Sequence, residues 1–129
     1  MAVIKIINCT ITRNKGRGLY VVDNGTVLVD SCLIASNTSA SAPGGAGIYM
    51  TRGQIRNCLI VSNQFTGATG NGGGVCMTNA ALNTNVAFGL INCTIVDNYS
   101  AKEGGGVAAF GASNYIANCV IATNYSAAA

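Results

Sequence analysis

Histidine is absent from this chain of 129 residues, and only four carboxylates, Asp23, Asp30, Asp97 and Glu103, are present. The first absence removes the commonest general base and metal ligand. The second leaves little material for acid chemistry: glycoside hydrolysis needs two carboxyl groups facing each other within about 5 to 9.5 Å. A calcium site takes roughly six to eight oxygen ligands, several of them carboxylates. Here one acid falls in a turn (Asp23), one at a strand end (Asp30), one just beyond a strand (Asp97) and one in a glycine corner (Glu103). No pair or cluster is expected from that distribution, so the sequence is read as carrying no catalytic residue, no metal site and no cofactor.

Charge of either sign is also scarce. Charged residues make up 9 % of the chain, against roughly 25 % in ordinary globular domains, so much of the surface must be neutral Ser, Thr, Asn, Ala and Gly. The net charge of +3 comes from seven scattered Lys and Arg. Their densest group, Arg13, Lys15 and Arg17, reads as a solvated turn, and no nucleic-acid partner is expected, since that needs basic residues gathered on one face. No stretch approaches the roughly 18 apolar residues of a membrane-spanning helix, and no export signal opens the sequence. Membrane insertion is therefore not expected, and the chain is either cytosolic as written or a mature exported segment. With half the residues apolar, one domain over residues 1–129 has material for a continuous core.

What the chain does have is repetition. A nine-residue phrase occurs five times: IINCTITRN from Ile6, VDSCLIASN from Val29, IRNCLIVSN from Ile55, LINCTIVDN from Leu90 and IANCVIATN from Ile116. Cys9, Cys32, Cys58, Cys93 and Cys119 are equivalent positions in it. Spacings of 23 to 35 residues announce a solenoid whose units bury their apolar side only by stacking on neighbours. A glycine cluster leading into a short apolar strand recurs between the phrases, at Gly16, Gly44, Gly72 and Gly104. A further apolar segment then runs into the next phrase, from Thr26, Gly53, Val86 and Asn114. Three short strands per turn are predicted, over about four to five turns.

Alternation along GQIRNCLIV breaks at Asn57 and Cys58, so the chain must bend there, and Asn best tolerates the left-handed conformation of a tight bend. Asn8, Asn57, Asn92 and Asn118, with Ser31 replacing Asn once, are expected to stack as a structural ladder of side-chain amides. The five phrase cysteines point inward as small apolar residues, free and buried. Their spacing is unlike paired zinc ligands. The second Asn of the phrase, at Asn14, Asn37, Asn63, Asn98 and Asn124, closes the following strand. Loop length varies most at the glycine corner, reaching Gln64 to Gly73, and a second insertion runs from Thr78 to Asn85.

With both phrases placed, the sequence resembles the right-handed parallel β-helix family, the fold of pectate-lyase-like proteins and of bacterial surface proteins. It is similar also to the Gly-Gly-Ala and Phe-x-x-Asn repeats of polymorphic outer-membrane proteins. The resemblance implies an all-β, single-domain β-solenoid. It also implies that catalytic members would carry acidic and basic groups on the outer face of the strand after the glycine corner. Alternation puts Tyr20, Tyr49, Cys76 and Ala108 at those outward positions, and none is a carboxylate or a base. Tyr20 and Tyr49 form a possible ligand face for sugar rings, and Cys76 differs from the other cysteines in facing outward.

Neither end shows a capping helix or a charged edge strand, so the ends are expected to be uncapped, and such ends invite head-to-tail stacking. The expected function is a non-catalytic structural β-solenoid, extracellular or on the cell surface, with itself as partner in a filament or as part of an adhesin-like protein. The alternative is a carbohydrate-binding or polysaccharide-processing β-helix with a polysaccharide partner, its face formed by Tyr20, Tyr49 and the two long loops.

Overall fold

A computed structural model of the chain describes residues 3–22, 26–78, 88–111 and 114–128. The first turn holds β1 (Val3–Ile7), β2 (Thr10–Thr12) and β3 (Leu19–Val21). The second holds β4 (Thr26–Asp30), β5 (Leu33–Ala35), β6 (Thr38–Ser39) and β7 (Ile48–Met50). The third consists of β8 (Gln54–Arg56), β9 (Leu59–Val61), β10 (Gln64–Phe65) and β11 (Val75–Thr78). The fourth consists of β12 (Phe88–Ile91), β13 (Thr94–Val96), β14 (Tyr99–Ser100) and β15 (Val107–Phe110), and β16 (Asn114–Ala117), β17 (Val120–Ala122) and β18 (Tyr125–Ser126) follow.

Each strand pairs in parallel with its counterpart one turn away. Sheet A is β1-β4-β8-β12-β16, sheet B β2-β5-β9-β13-β17, sheet C β6-β10-β14-β18 and sheet D β3-β7-β11-β15. The phrase repeats are therefore stacked in register, Ile6 on Val29 on Ile55 on Leu90 on Ile116, and Ile11 on Ile34 on Ile60 on Ile95 on Ile121. Full turns carry four strands rather than the expected three. The addition is the two-residue strand of sheet C, whose place in the first turn is taken by a single bridge from Lys15 to Thr38. The expected loop from Gln64 to Gly73 thus begins as strand β10.

Two bends per turn explain this extra corner. Asn8, Ser31, Asn57, Asn92 and Asn118 have φ of 51–54°, as the sequence led us to expect. Arg13, Ser36, Ser62, Asp97 and Thr123 form a second column of left-handed residues, with φ of 54–58°. That conformation is costly for side chains other than Gly and Asn, and here Arg13, Ser36 and Ser62 are each held in it by the same backbone bond to the next turn. Ser36 N–H, for example, donates to Val61 O at 3.1 Å.

The core is one continuous cluster inside the coil, with Val29, Ile34, Ile48, Met50, Ile55, Ile60, Val75, Met77, Leu90 and Ile95 fully buried. A second, smaller cluster of Tyr49, Cys76 and Ala108 lies on the other side of sheet D.

Candidate functional site

The five phrase cysteines line up as one inward column. Cys9 N–H approaches Cys32 Sγ, Cys32 N–H approaches Cys58 Sγ and Cys93 N–H approaches Cys119 Sγ, each at 3.5 Å. Their own thiols donate to nearby carbonyls, as Cys58 does to Arg56 O at 3.1 Å. All six cysteines are free. The Cys58 thiol is held above its ordinary range by its hydrogen bond with Cys93 and by burial. Among the described residues, no three of His, Cys, Asp and Glu are arranged to hold a metal ion.

The ladder of side-chain amides is found on a different column from the expected one. Asn8, Asn57, Asn92 and Asn118 sit at their left-handed bends but face solvent. Asn92 donates to Asn57 at a long 3.4 Å, while Asn57 turns instead to Asp30 Oδ1 at 2.9 Å. The unbroken ladder is Asn14, Asn37, Asn63, Asn98 and Asn124, buried at its three middle members. Along it, backbone N–H and Nδ2 of each Asn both donate to Oδ1 of the next, at 2.8–3.1 Å. Asn63 Nδ2 also donates to Ile34 O at 2.9 Å, and Asn98 Nδ2 to Ile60 O at 3.0 Å. These residues do more than close a strand: Asn37 and Asn63 are completely buried, and their amides also bind backbone carbonyls of the preceding turn. The sequence carried the signal, since this Asn is invariant in all five phrases whereas the first Asn is once Ser31.

The ladder also accounts for one glycine of each corner. A Cβ on Gly18, Gly47, Gly74 or Gly106 would stand 2.6–3.0 Å from the side chain of Asn37, Asn63, Asn98 or Asn124. These glycines directly precede β3, β7, β11 and β15, so the two repeated phrases of the sequence are two halves of one packing contact.

On the outer side of sheet D, Tyr20 and Tyr49 stack with ring centroids 5.2 Å apart. They do not form an open platform. Tyr20 is 58 % exposed, but Tyr49 retains only 8 %. Its hydroxyl meets Thr78 Oγ1 at 2.8 Å. The Arg17 guanidinium lies 4.7 Å above the Tyr20 ring and is pinned by bonds to the Ser41 and Gly44 carbonyls. Cys76, expected to face outward, does so only relative to the main core: it is fully buried with its sulfur 3.9 Å from Pro43 O, and burial pushes its thiol up to about 11. The expected insertion from Thr78 to Asn85 lies, after Thr78, outside the described residues.

Among the described residues, Asp30, Asp97 and Glu103 have separate surroundings. Asp30 forms an ion pair with Arg56 at 2.8 Å. Hydrogen bonds from Asn57 and Arg56 hold its carboxyl below the usual range. Asp97 occupies a left-handed bend, Glu103 is exposed in a glycine corner, and Asp23 is outside the described residues.

Among the described residues, several core columns lose their cover in the first and last turns. Ile116 and Ile121 are 45 % and 44 % exposed, although their counterparts one turn earlier, Leu90 and Ile95, are fully buried. At the opposite end Val3, Ile4 and Ile7 are exposed, and an apolar notch of about 300 Å³ opens between β1, β3 and β4, lined by Ile4, Ile6, Leu19, Val21 and Val27.

No curated protein and no solved structure matches the chain. The family model described as the right-handed β-helix region matches residues 2–89, more than half of the sequence. Parallel pairing in every sheet, the inward cysteine and isoleucine columns and this match agree, and the chain belongs to the right-handed β-helix family.

Proposed function

We propose that this β-helix is a non-catalytic structural element, acting outside the cell or on its surface, and that it self-associates end to end. What supports the reading is the unbroken stacking of the Ile and Asn columns, in which each turn already pairs with near-copies of itself. Exposed apolar surface beside open strand edges is a template for pairing with more of the same. The scattered acids support a role without catalysis. The neutral sides support association through the ends. Negative-stain microscopy of the purified chain should show fibres one coil wide, and monodisperse single-chain particles at all concentrations would overturn the proposal. The carbohydrate alternative has the exposed Tyr20 ring in its favour. Under that reading, pull-down with insoluble polysaccharide would retain the chain and release Tyr20→Ala; equal retention of both would remove that face.

A further inference from the structure

The sides of the coil carry a surface that end-to-end association leaves unused. The outer face of sheet B presents two residues per strand, Thr10, Leu33, Leu59 and Thr94 in one column and Thr12, Ala35, Val61 and Val96 in the next. Ile11, Ile34, Ile60 and Ile95 between them point the other way, into the core. None of the eight outward residues is charged and none is buried, and Leu59 stands 40 % exposed.

Two columns of left-handed bends frame this face. On one side stand Asn8, Ser31, Asn57 and Asn92, all exposed and uncharged. On the other stand Arg13, Ser36, Ser62 and Asp97, exposed as well, and here the first and last of the four carry opposite charges. Among the described residues, neither Arg13 nor Asp97 takes part in an ion pair.

We propose that this face pairs with the same face of a second copy, the two coils lying side by side and antiparallel. Charge decides both the occupant and the register. A twofold axis at right angles to the coil, crossing the face between β5 and β9, sets each column against itself with the order of turns reversed. Arg13 of each copy then meets Asp97 of the other, giving two ion pairs at the rim. Leu33 covers Leu59, Thr10 covers Thr94 and Ala35 covers Val61, across the roughly 10 Å that separates facing sheets. On the opposite rim Asn8 meets Asn92 and Ser31 meets Asn57, side chains that can both donate and accept hydrogen bonds.

Other arrangements leave the charges unmatched. Parallel coils would set Arg13 against Asn8 and Asp97 against Asn92. Moving the axis onto β9 would set Asp97 against Ser36. The matched contact uses one surface on both copies and closes at two. It is also small: eight central residues and their rims fall short of the roughly 20 to 30 residues a side of a stable interface. Pairing therefore belongs to concentrated solution, and at the dilution of a stained grid the coils stay single.

The test uses complementary charge reversals, followed by sedimentation equilibrium up to about 1 mM chain, the weak end of specific association. Arg13→Asp and Asp97→Arg should each weaken side-by-side pairing about tenfold, since each sets like charges together. The bends accept both exchanges, because Arg and Asp already occupy equivalent places in one column. An equimolar mixture of the two variants should restore wild-type pairing, as each reversed charge then meets its opposite in the other chain. A mixture that associates no better than either variant alone would overturn the proposal. As a second measurement, a benzophenone residue replaces Leu59 and crosslinks are mapped between isotopically distinct copies. Crosslinks to residues 33–35 of the other copy are expected, a position that no contact between coil ends brings near. Their absence at concentrations where the wild type associates would overturn side-by-side pairing and leave end-to-end association standing. A chain that stays single at every concentration would overturn both.

Discussion

At the scale of single residues, two asparagines of one phrase have opposite duties. Asn57 is exposed and valuable mainly for tolerating a φ of 53°; Asn63 is fully buried and holds three neighbours in place. Replacing Asn63 by Ala should cost about 3 kcal/mol, because Asn37 loses its acceptor and Ile34 O its donor inside the core. Asn57→Leu should cost only about 1 kcal/mol, mostly left-handed strain. Urea unfolding of the two variants checks the order, and an equal loss would contradict the assignment of the ladder. Cys76 gives a pH prediction. Its folded-state value of about 11 lies above the ordinary 9.0, so the neutral thiol is favoured in the fold. Its contribution is complete below about pH 9 and is lost as pH rises toward 11. The stability difference between the wild type and Cys76→Ala should shrink across that window when unfolding is followed at each pH.

At the scale of elements, the strands are short because a bend interrupts them every few residues, and they persist only because each is flanked by its copies. The contact between each corner glycine and the next turn's Asn links sheet D to the bend between sheets B and C. Gly74→Ala would press a Cβ to 2.6 Å from Gly106 O and 3.0 Å from Asn98. Both partners belong to rigid ladders, so the variant should lose roughly 1–3 kcal/mol, seen as a lowered thermal midpoint. Gly16→Ala, with open space around its Cβ, is the control and should be close to neutral.

At the scale of the whole molecule, burial differs between the middle turns and the outer ones. Cys9 and Cys119, in the first and last phrase, are partly exposed, whereas Cys32, Cys58, Cys76 and Cys93 are buried. In dilute solution the two terminal thiols should react with maleimide well before the other four, and mass spectrometry of the labelled peptides reads the order. In assembled samples both should become protected together. Labelling that ignores the assembly state would argue against end-to-end contact.

The sequence by itself determined the coil, its inward Cys and Ile columns and the first bend, since a phrase repeated five times puts like side chains at like depth and Asn marks a left-handed turn. The second bend escaped because Arg13, Ser36, Ser62, Asp97 and Thr123 share no chemistry that signals it; stacking, rather than residue type, holds them there. Burial outside the core was likewise decided only in three dimensions. Alternation sends Tyr49 and Cys76 away from the main core, but whether they meet water depends on Thr78 and Arg17 for Tyr49 and on Pro43 for Cys76, each far away in sequence from the side chain it covers and close only when the coil has wound.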